Sequence, residues 1–312
     1  MADLSKPSSP GEFDPYRYGA PEPVAPVGRT SPTGKQILTA SWAMLKRDRE
    51  LIAVPVIGTV ASVVAFGVLF VPGLILGLGS GHENRFPLYL FAILGGFVAS
   101  VIGIFFQSAL VIGAYQRADG QDPTLQGVLA AAWQMRRQIL QWAVFTTIVG
   151  TIIRAVEQRL GLVGRILGFL GGIAWAVASF FAIPVIIAEG VGPIEAVKRS
   201  SNVIKGIWGT SVRTTLRFGA ITIVLTIIPS VLLVSGVIVA TSDAATGSGG
   251  VAGGVVLAAI GALILIAMSI VFGAIATYAR ALIYRWATGR PVPGIDPSLF
   301  AGAFRAKKRR RG

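Results

Sequence analysis

The stretch Pro184–Gly209, PVIIAEGVGPIEAVKRSSNVIKGIWG, decides the fold. Its first residues close an apolar run. Gly190 and Gly192 then offer a turn, because glycine enters the left-handed region without a Cβ penalty. Proline suits the first turn of a helix, where its missing N–H is no loss, so Pro193 marks a helix start. Glu195 places a carboxylate near the positive end of that helix. Lys198, Arg199 and Lys205 follow among apolar residues, and Trp208 stands beyond them. This is a joint between an apolar span and a short basic amphipathic helix, the pattern of a chain passing from bilayer to interface.

The joint recurs on both sides. Ala118-Asp119-Gly120 precedes Pro123-Thr124-Leu125, and Ala287-Thr288-Gly289 precedes Pro297-Ser298-Leu299. Each follows an apolar span, as Ala188-Glu189-Gly190 does before Pro193. Thr124 and Glu195 are placed to serve the open N–H groups of a first turn. The spacing predicts an all-α polytopic membrane helix bundle. It has six transmembrane helices and three interfacial amphipathic helices in a threefold repeat.

Composition points the same way. The 312 residues are 53% hydrophobic and 13% charged, with a mean hydropathy of +0.70. Soluble domains carry about 25% charged residues. Apolar runs near 20 residues place the chain in the membrane class. Cysteine is absent, which excludes disulfides, thiolate metal sites and a cysteine nucleophile. The net charge of +14 reads as a cytoplasmic face in contact with anionic lipid, and nucleic acid is not expected as a partner.

The spans are expected at about 51–78, 86–114, 139–153, 166–188, 218–240 and 251–283. The third is short, reaching about 22 Å against a hydrocarbon core of about 30 Å. Interfacial helices are expected at 34–49, 125–137 and 193–209. Residues 154–165 and 241–250 read as loops, and the glycines of 247–254 as a flexible linker. Trp42, Trp133 and Trp208 recur in the interfacial helices as headgroup anchors. Residues 1–33 are rich in Pro, Ser and Gly and read as a disordered cytoplasmic tail, 34–290 as the membrane domain, and 291–312 as a basic tail. No basic start leads into an apolar h-region, so no cleavable signal peptide is expected.

Of the 28 Lys and Arg, all except Arg85, Arg154, Arg159 and Arg165 fall on the side of the termini. The positive-inside bias puts both termini in the cytoplasm.

No catalytic constellation is visible. His82 is the sole histidine, too few for a zinc site, so neither metal nor cofactor is expected. The middles of the spans hold no ionisable residue. Gln107, Tyr278 and Arg280 come nearest. Asp119 and Glu189 read as helix-end carboxylates near Arg117 or Lys198. Gly73/Gly77, Gly95/Ala99/Gly103 and Gly168/Gly172 are small-residue stripes that let helices approach.

Some residues also resemble an uncharacterised family of prokaryotic integral membrane proteins. They are Ser41-Trp42 with Leu45-Lys46-x-Asp48-x-Glu50-Leu51, Trp142, Val149-Gly150, Trp175 and Pro184-Val185. The match continues through Glu189-Gly190-x-Gly192-Pro193-Ile194-Glu195-Ala196-x-Lys198-Arg199-Ser200 to Trp208-Gly209. The resemblance covers about 34–290. More loosely, the plan is similar to the membrane domain that accompanies some bacterial glycerophosphodiesterases, without their catalytic domain. It implies a prokaryotic plasma membrane and adds no active residue.

The function expected is that of a non-enzymatic plasma-membrane protein. Its cytoplasmic face would organise anionic phospholipid or a membrane-protein partner. Lys46, Arg47, Arg136, Arg137, Lys198, Arg199, Lys205, Lys307, Lys308 and Arg309 are the expected headgroup contacts. The alternative is a transporter or flippase-like protein for a lipid or apolar solute, with Pro184 and Pro229 breaking spans beside a cavity.

Overall fold

The computed structural model describes residues 34–79, 86–241, 248–290 and 292, with side chains excepted at 34–38, 40, 47, 49, 78–79, 206–226 and 248–249. They form helices α1 (Gly34–Arg47), α2 (Arg49–Gly79), α3 (Phe86–Ala118), α4 (Leu125–Gln134), α5 (Arg136–Arg159), α6 (Gly161–Ala178), α7 (Ala182–Glu189), α8 (Pro193–Thr241) and α9 (Ser248–Ala287), and no strand is found among them. Five stretches are long and apolar enough to cross a membrane: Glu50–Gly77, Phe86–Ala118, Arg136–Arg159, Gly161–Glu189 and Gly250–Ala287. Ile227–Thr241 is a shorter apolar stretch at the end of α8.

Three helical hairpins dominate the packing. α2 lies against α3, α5 against α6, and α8 against α9. Away from one end, these helices leave their apolar side chains open: Val63, Val68, Ile93, Phe169 and Leu263 are all well exposed. Such surface is stable only against hydrocarbon. The densely packed core lies at a single end. It collects residues 109–118 of α3, 181–188 around α7 and 274–287 of α9, with parts of α1, α4, α5 and α8. We call this end the base.

The backbone at the base follows from the turns. Gly120, Gly190 and Gly289 all have positive φ, at 79°, 64° and 76°. At Gly120 and Gly289 the next N–H returns to the last turn, Gln121 to Gln116 and Arg290 to Arg285. Gly190 closes with one bond to Ile186. These are the left-handed helix ends in which glycine avoids a steric cost of about 1 kcal/mol or more. Thr124 caps α4 by accepting from Gly127 N–H at 3.1 Å, as its position suggested.

Several boundaries differ from expectation. The third span is not short: α5 has 24 residues, about 36 Å long. Arg154, Glu157 and Arg159 look like loop residues in composition. They continue the helix because nothing breaks it before Gly161, whose φ of 56° turns the corner into α6. The expected interfacial helix at 193–209 and span at 218–240 are one helix, α8. No proline lies between them, and Gly206 and Gly209 do not stop it. Helices α1 and α4, expected to be interfacial, are set off from α2 and α5 by single residues, Asp48 and Met135.

The fourth span breaks before Pro184 rather than at it. A proline ring clashes with the carbonyl four residues earlier and brings no N–H to bond it. That carbonyl belongs to Phe180, so α6 ends at Ala178 and Pro184 takes a place in the first turn of α7. A neighbouring helix then satisfies the broken backbone, and another braces it. Phe181 N–H donates to Ser200 Oγ at 3.0 Å, and Tyr115 donates its hydroxyl to Pro184 O at 3.1 Å.

Some of the closest helix contacts are made by glycines outside the expected stripes. A Cβ on Gly236 would lie 2.3 Å from Ala258 N, and one on Gly254 would lie 2.4 Å from Ala240 N. Gly254 is therefore packed helix, not linker. Among the stripes, Gly73 and Gly95 do meet α3 and α2, whereas Gly172 faces open space. Gly236→Val is expected to force α8 and α9 apart at a cost of about 1–3 kcal/mol. A lower thermal midpoint in detergent would report it. Gly171→Val, where no atom is near, should leave the midpoint unchanged.

Candidate functional site

The base is held by charges drawn from separate elements. Asp48, in the one-residue gap between α1 and α2, is buried at 5% exposure. It accepts from Arg117 at the end of α3, with Nε to Oδ2 at 2.9 Å and a second contact from Nη2 to Oδ1. Arg117 also reaches the exposed Asp122 at 2.6 Å. Asp119, just past α3, pairs with Arg285 near the end of α9. Glu189, closing α7, accepts from Arg199 of α8 and from the Tyr284 hydroxyl of α9. Arg199 also bonds Glu195 at 2.9 Å, one turn away on its own helix.

Asp119 and Glu189 are thus helix-end carboxylates, but their partners are not the expected ones. Arg117 turns to Asp48 instead of Asp119, and Arg199 takes Glu189 in place of Lys198. Only folding brings 48 to 117, 119 to 285 and 189 to 284. Chain spacing of that length carries no signal of contact.

Buried pairs of this kind lock an arrangement more than they add net stability. Each carboxylate is buried or half-buried and would be stranded if its cation were removed. Tyr278, wholly buried in the same core, has a hydroxyl without a hydrogen-bond partner among the described residues.

We call the exposed members of the expected headgroup contacts the rim. Lys46, Arg136, Arg137, Lys198 and Lys205 are exposed. Arg199 is not free, because its guanidinium is engaged by Glu189 and Glu195. Lys307, Lys308, Arg309 and the Arg47 side chain lie outside the described residues, as do His82 and the Trp208 side chain. Two tryptophans stand at the rim, each with its own cation. Lys46 Nζ is 5.1 Å from the Trp42 ring, and the Arg136 guanidinium is 5.7 Å from Trp133, which is 62% exposed.

A cleft of about 180 Å³ opens beside the α6–α7 break. Gln107, Ser179, Thr277 and Arg280 supply its polar lining, and Trp142, Phe180 and Pro184 part of the apolar wall. Trp142 stacks on Trp175 at 6.1 Å, with Phe145 against both rings. Gln107 and Arg280 were visible in the sequence as the polar residues nearest the span middles. Their meeting was not, since it depends on α3 packing against α9. No group of three or more His, Cys, Asp or Glu able to hold a metal occurs among the described residues.

Arg117→Gln should destabilise the protein by about 3–5 kcal/mol, because it strands Asp48 in the core. Asp122→Asn should change little, since Asp122 is 90% exposed. Thermal midpoints of the two variants in one detergent compare them. Adding Asp48→Asn to Arg117→Gln should recover part of the loss.

The model of a family of unknown function, DUF6159, matches residues 84–291. The match begins just before α3, so α1 and α2 lie outside it, a later start than the expected 34. Among curated proteins and among solved structures, none matches the chain. With more than half of its length matched, the chain belongs to the family of unknown function DUF6159.

Proposed function

We propose that this chain is a multi-pass protein of the plasma (inner) membrane, with six spans and both termini in the cytoplasm. We propose further that it is not an enzyme, and that its basic face gathers anionic phospholipid or a membrane-protein partner. The observation that carries the proposal is the rim of exposed cations, Lys46, Arg136, Arg137, Lys198 and Lys205, on a protein whose Arg117, Arg199 and Arg285 are already paired with carboxylates. Cations outside the pairs are free to face phosphate. Each contributes about 1 kcal/mol near an anionic leaflet. Trp42 and Trp133 stand beside them as interfacial anchors.

The sixth span is α8 beyond its basic first half, which pairs with α9 as α2 pairs with α3. A threefold plan is supported by the left-handed glycines at 120, 190 and 289, each after a span and at the base. Each unit then holds an amphipathic helix and a hairpin: α1–α3, α4–α7, and α8–α9. A second reading, a transporter or flippase-like protein, draws on the broken helix α6–α7 with the polar cleft at its side.

Two experiments test the proposal. A cysteine at Leu162, which is 75% exposed, should react in intact cells with a membrane-impermeant maleimide. One at Asn202 should be protected, and the reverse pattern would overturn the orientation. The full-length protein extracted in polymer nanodiscs should carry phosphatidylglycerol in excess of its membrane share. Changing Lys46, Arg136, Arg137 and Lys198 to Gln should cut that excess by at least about tenfold at low salt. An undiminished excess would sink the lipid-gathering role.

A further inference from the structure

Among the described residues Arg280 is a cation without a counter-ion. It lies in α9 about two turns, or about 10 Å, inside the helix end at Ala287. Among the described residues it makes no ion pair and no hydrogen bond. Its guanidinium lies over the Phe180 ring, with the guanidinium carbon 5.6 Å from the ring centroid. A cation–π contact of this kind lowers the energy of the charge by about 0.5–2 kcal/mol without neutralising it.

The carboxylates of the base are already committed elsewhere: Asp48 to Arg117, Asp119 to Arg285, and Glu189 to Arg199. The cleft lining contains neither Asp nor Glu. An anion entering it would meet no like charge on the walls.

The remaining lining fits an oxyanion. Gln107 has no hydrogen-bond partner among the described residues, and its amide can donate beside Arg280. The Ser179 and Thr277 hydroxyl protons are spent on Trp175 O at 2.7 Å and Gly273 O at 2.8 Å. Guanidinium and amide are therefore the donors, and guanidinium matches phosphate oxygens in a planar fork. A volume of about 180 Å³ exceeds the share of several waters, at about 30 Å³ each. The apolar wall of Val111, Trp142 and Ile183 suits an attached hydrocarbon chain.

We propose that this cleft is a site for one phosphate oxyanion, held by Arg280 with Gln107 as second donor. The chemistry is shared by a phospholipid headgroup and by free phosphate. The site rests on the membrane reading above and not on the rim of exposed cations, so the two can fail separately.

Native mass spectrometry of the full-length protein in neutral detergent tests it, with phosphatidylglycerol, inorganic phosphate and diacylglycerol as probes. Wild type should bind one phosphatidylglycerol, one inorganic phosphate, or either in competition, and diacylglycerol at least about tenfold more weakly. Binding by the lipid alone assigns the headgroup as source; binding by both assigns a general phosphate site. Arg280→Gln should weaken the phosphate probe at least about tenfold, and Arg280→Lys, which keeps charge but loses the fork, by less. The rim variant with four Gln changes should keep this single site.

Equal affinity in Arg280→Gln, binding of diacylglycerol as tight as phosphatidylglycerol, or binding of neither phosphatidylglycerol nor inorganic phosphate by wild type would overturn the site. Loss of the single lipid in the rim variant with retention in Arg280→Gln would leave the rim reading standing and remove this one. If Arg280→Gln does not fold, Gln107→Leu decides. A severalfold weaker phosphate probe supports the site, and unchanged binding overturns it.

Discussion

Three arginine–carboxylate contacts tie this protein together: Arg117 to Asp48, Arg285 to Asp119, and Arg199 to Glu189. The first two join elements far apart in the chain, and Glu189, which pairs with Arg199 of the next helix, is also tied to the distant α9 by Tyr284. The helical hairpins α2–α3, α5–α6 and α8–α9 present mostly lipid-facing surface, and they converge only where these contacts lie. In hydrocarbon, helices gain little by burying apolar groups against one another. Specific polar contacts and close backbone packing at one end therefore carry the arrangement.

The same end solves the problem of helix termination. A span that stops within a membrane must satisfy its last carbonyls. Gly120, Gly190 and Gly289 do so by turning left-handed and returning N–H groups to the final turn. The break ahead of Pro184 is satisfied from outside by Ser200, and Tyr115 braces it through Pro184 O. Ser200 lies on α8 and Tyr115 on α3, so the break is stable only once the base has formed. The cleft at Arg280 is a by-product of that break, since Ser179 and Phe180 line it.

How far residues could be interpreted without coordinates depended on the range of the interaction involved. Helical class, the junction glycines, the Thr124 cap and the start of α8 at Pro193 are local, and each could be argued from neighbours in the chain. Helix ends were less legible where composition misled. Arg154, Glu157 and Arg159 are loop-like in type, yet they complete α5 because charged residues at a span end can reach water without ending the helix. Gly254 looked like linker because glycine favours turns, whereas here it gives α8 room against α9. Of the headgroup candidates, Lys46, Arg136, Arg137, Lys198 and Lys205 are exposed, and Arg199 is occupied by two carboxylates.

By itself the sequence determined the membrane class, the helical architecture, the joints at 120, 190 and 289, and the stock of basic residues at one set of helix ends. These follow from hydropathy, backbone permissiveness and charge, which are properties of short stretches. Tertiary structure alone decided which carboxylate meets which arginine and which side chain satisfies the backbone where the fourth span breaks. It also decided that Gln107 of α3 faces the same cleft as Arg280 of α9. Those outcomes depend on the register and side on which separate helices pack, and no short stretch of chain encodes that.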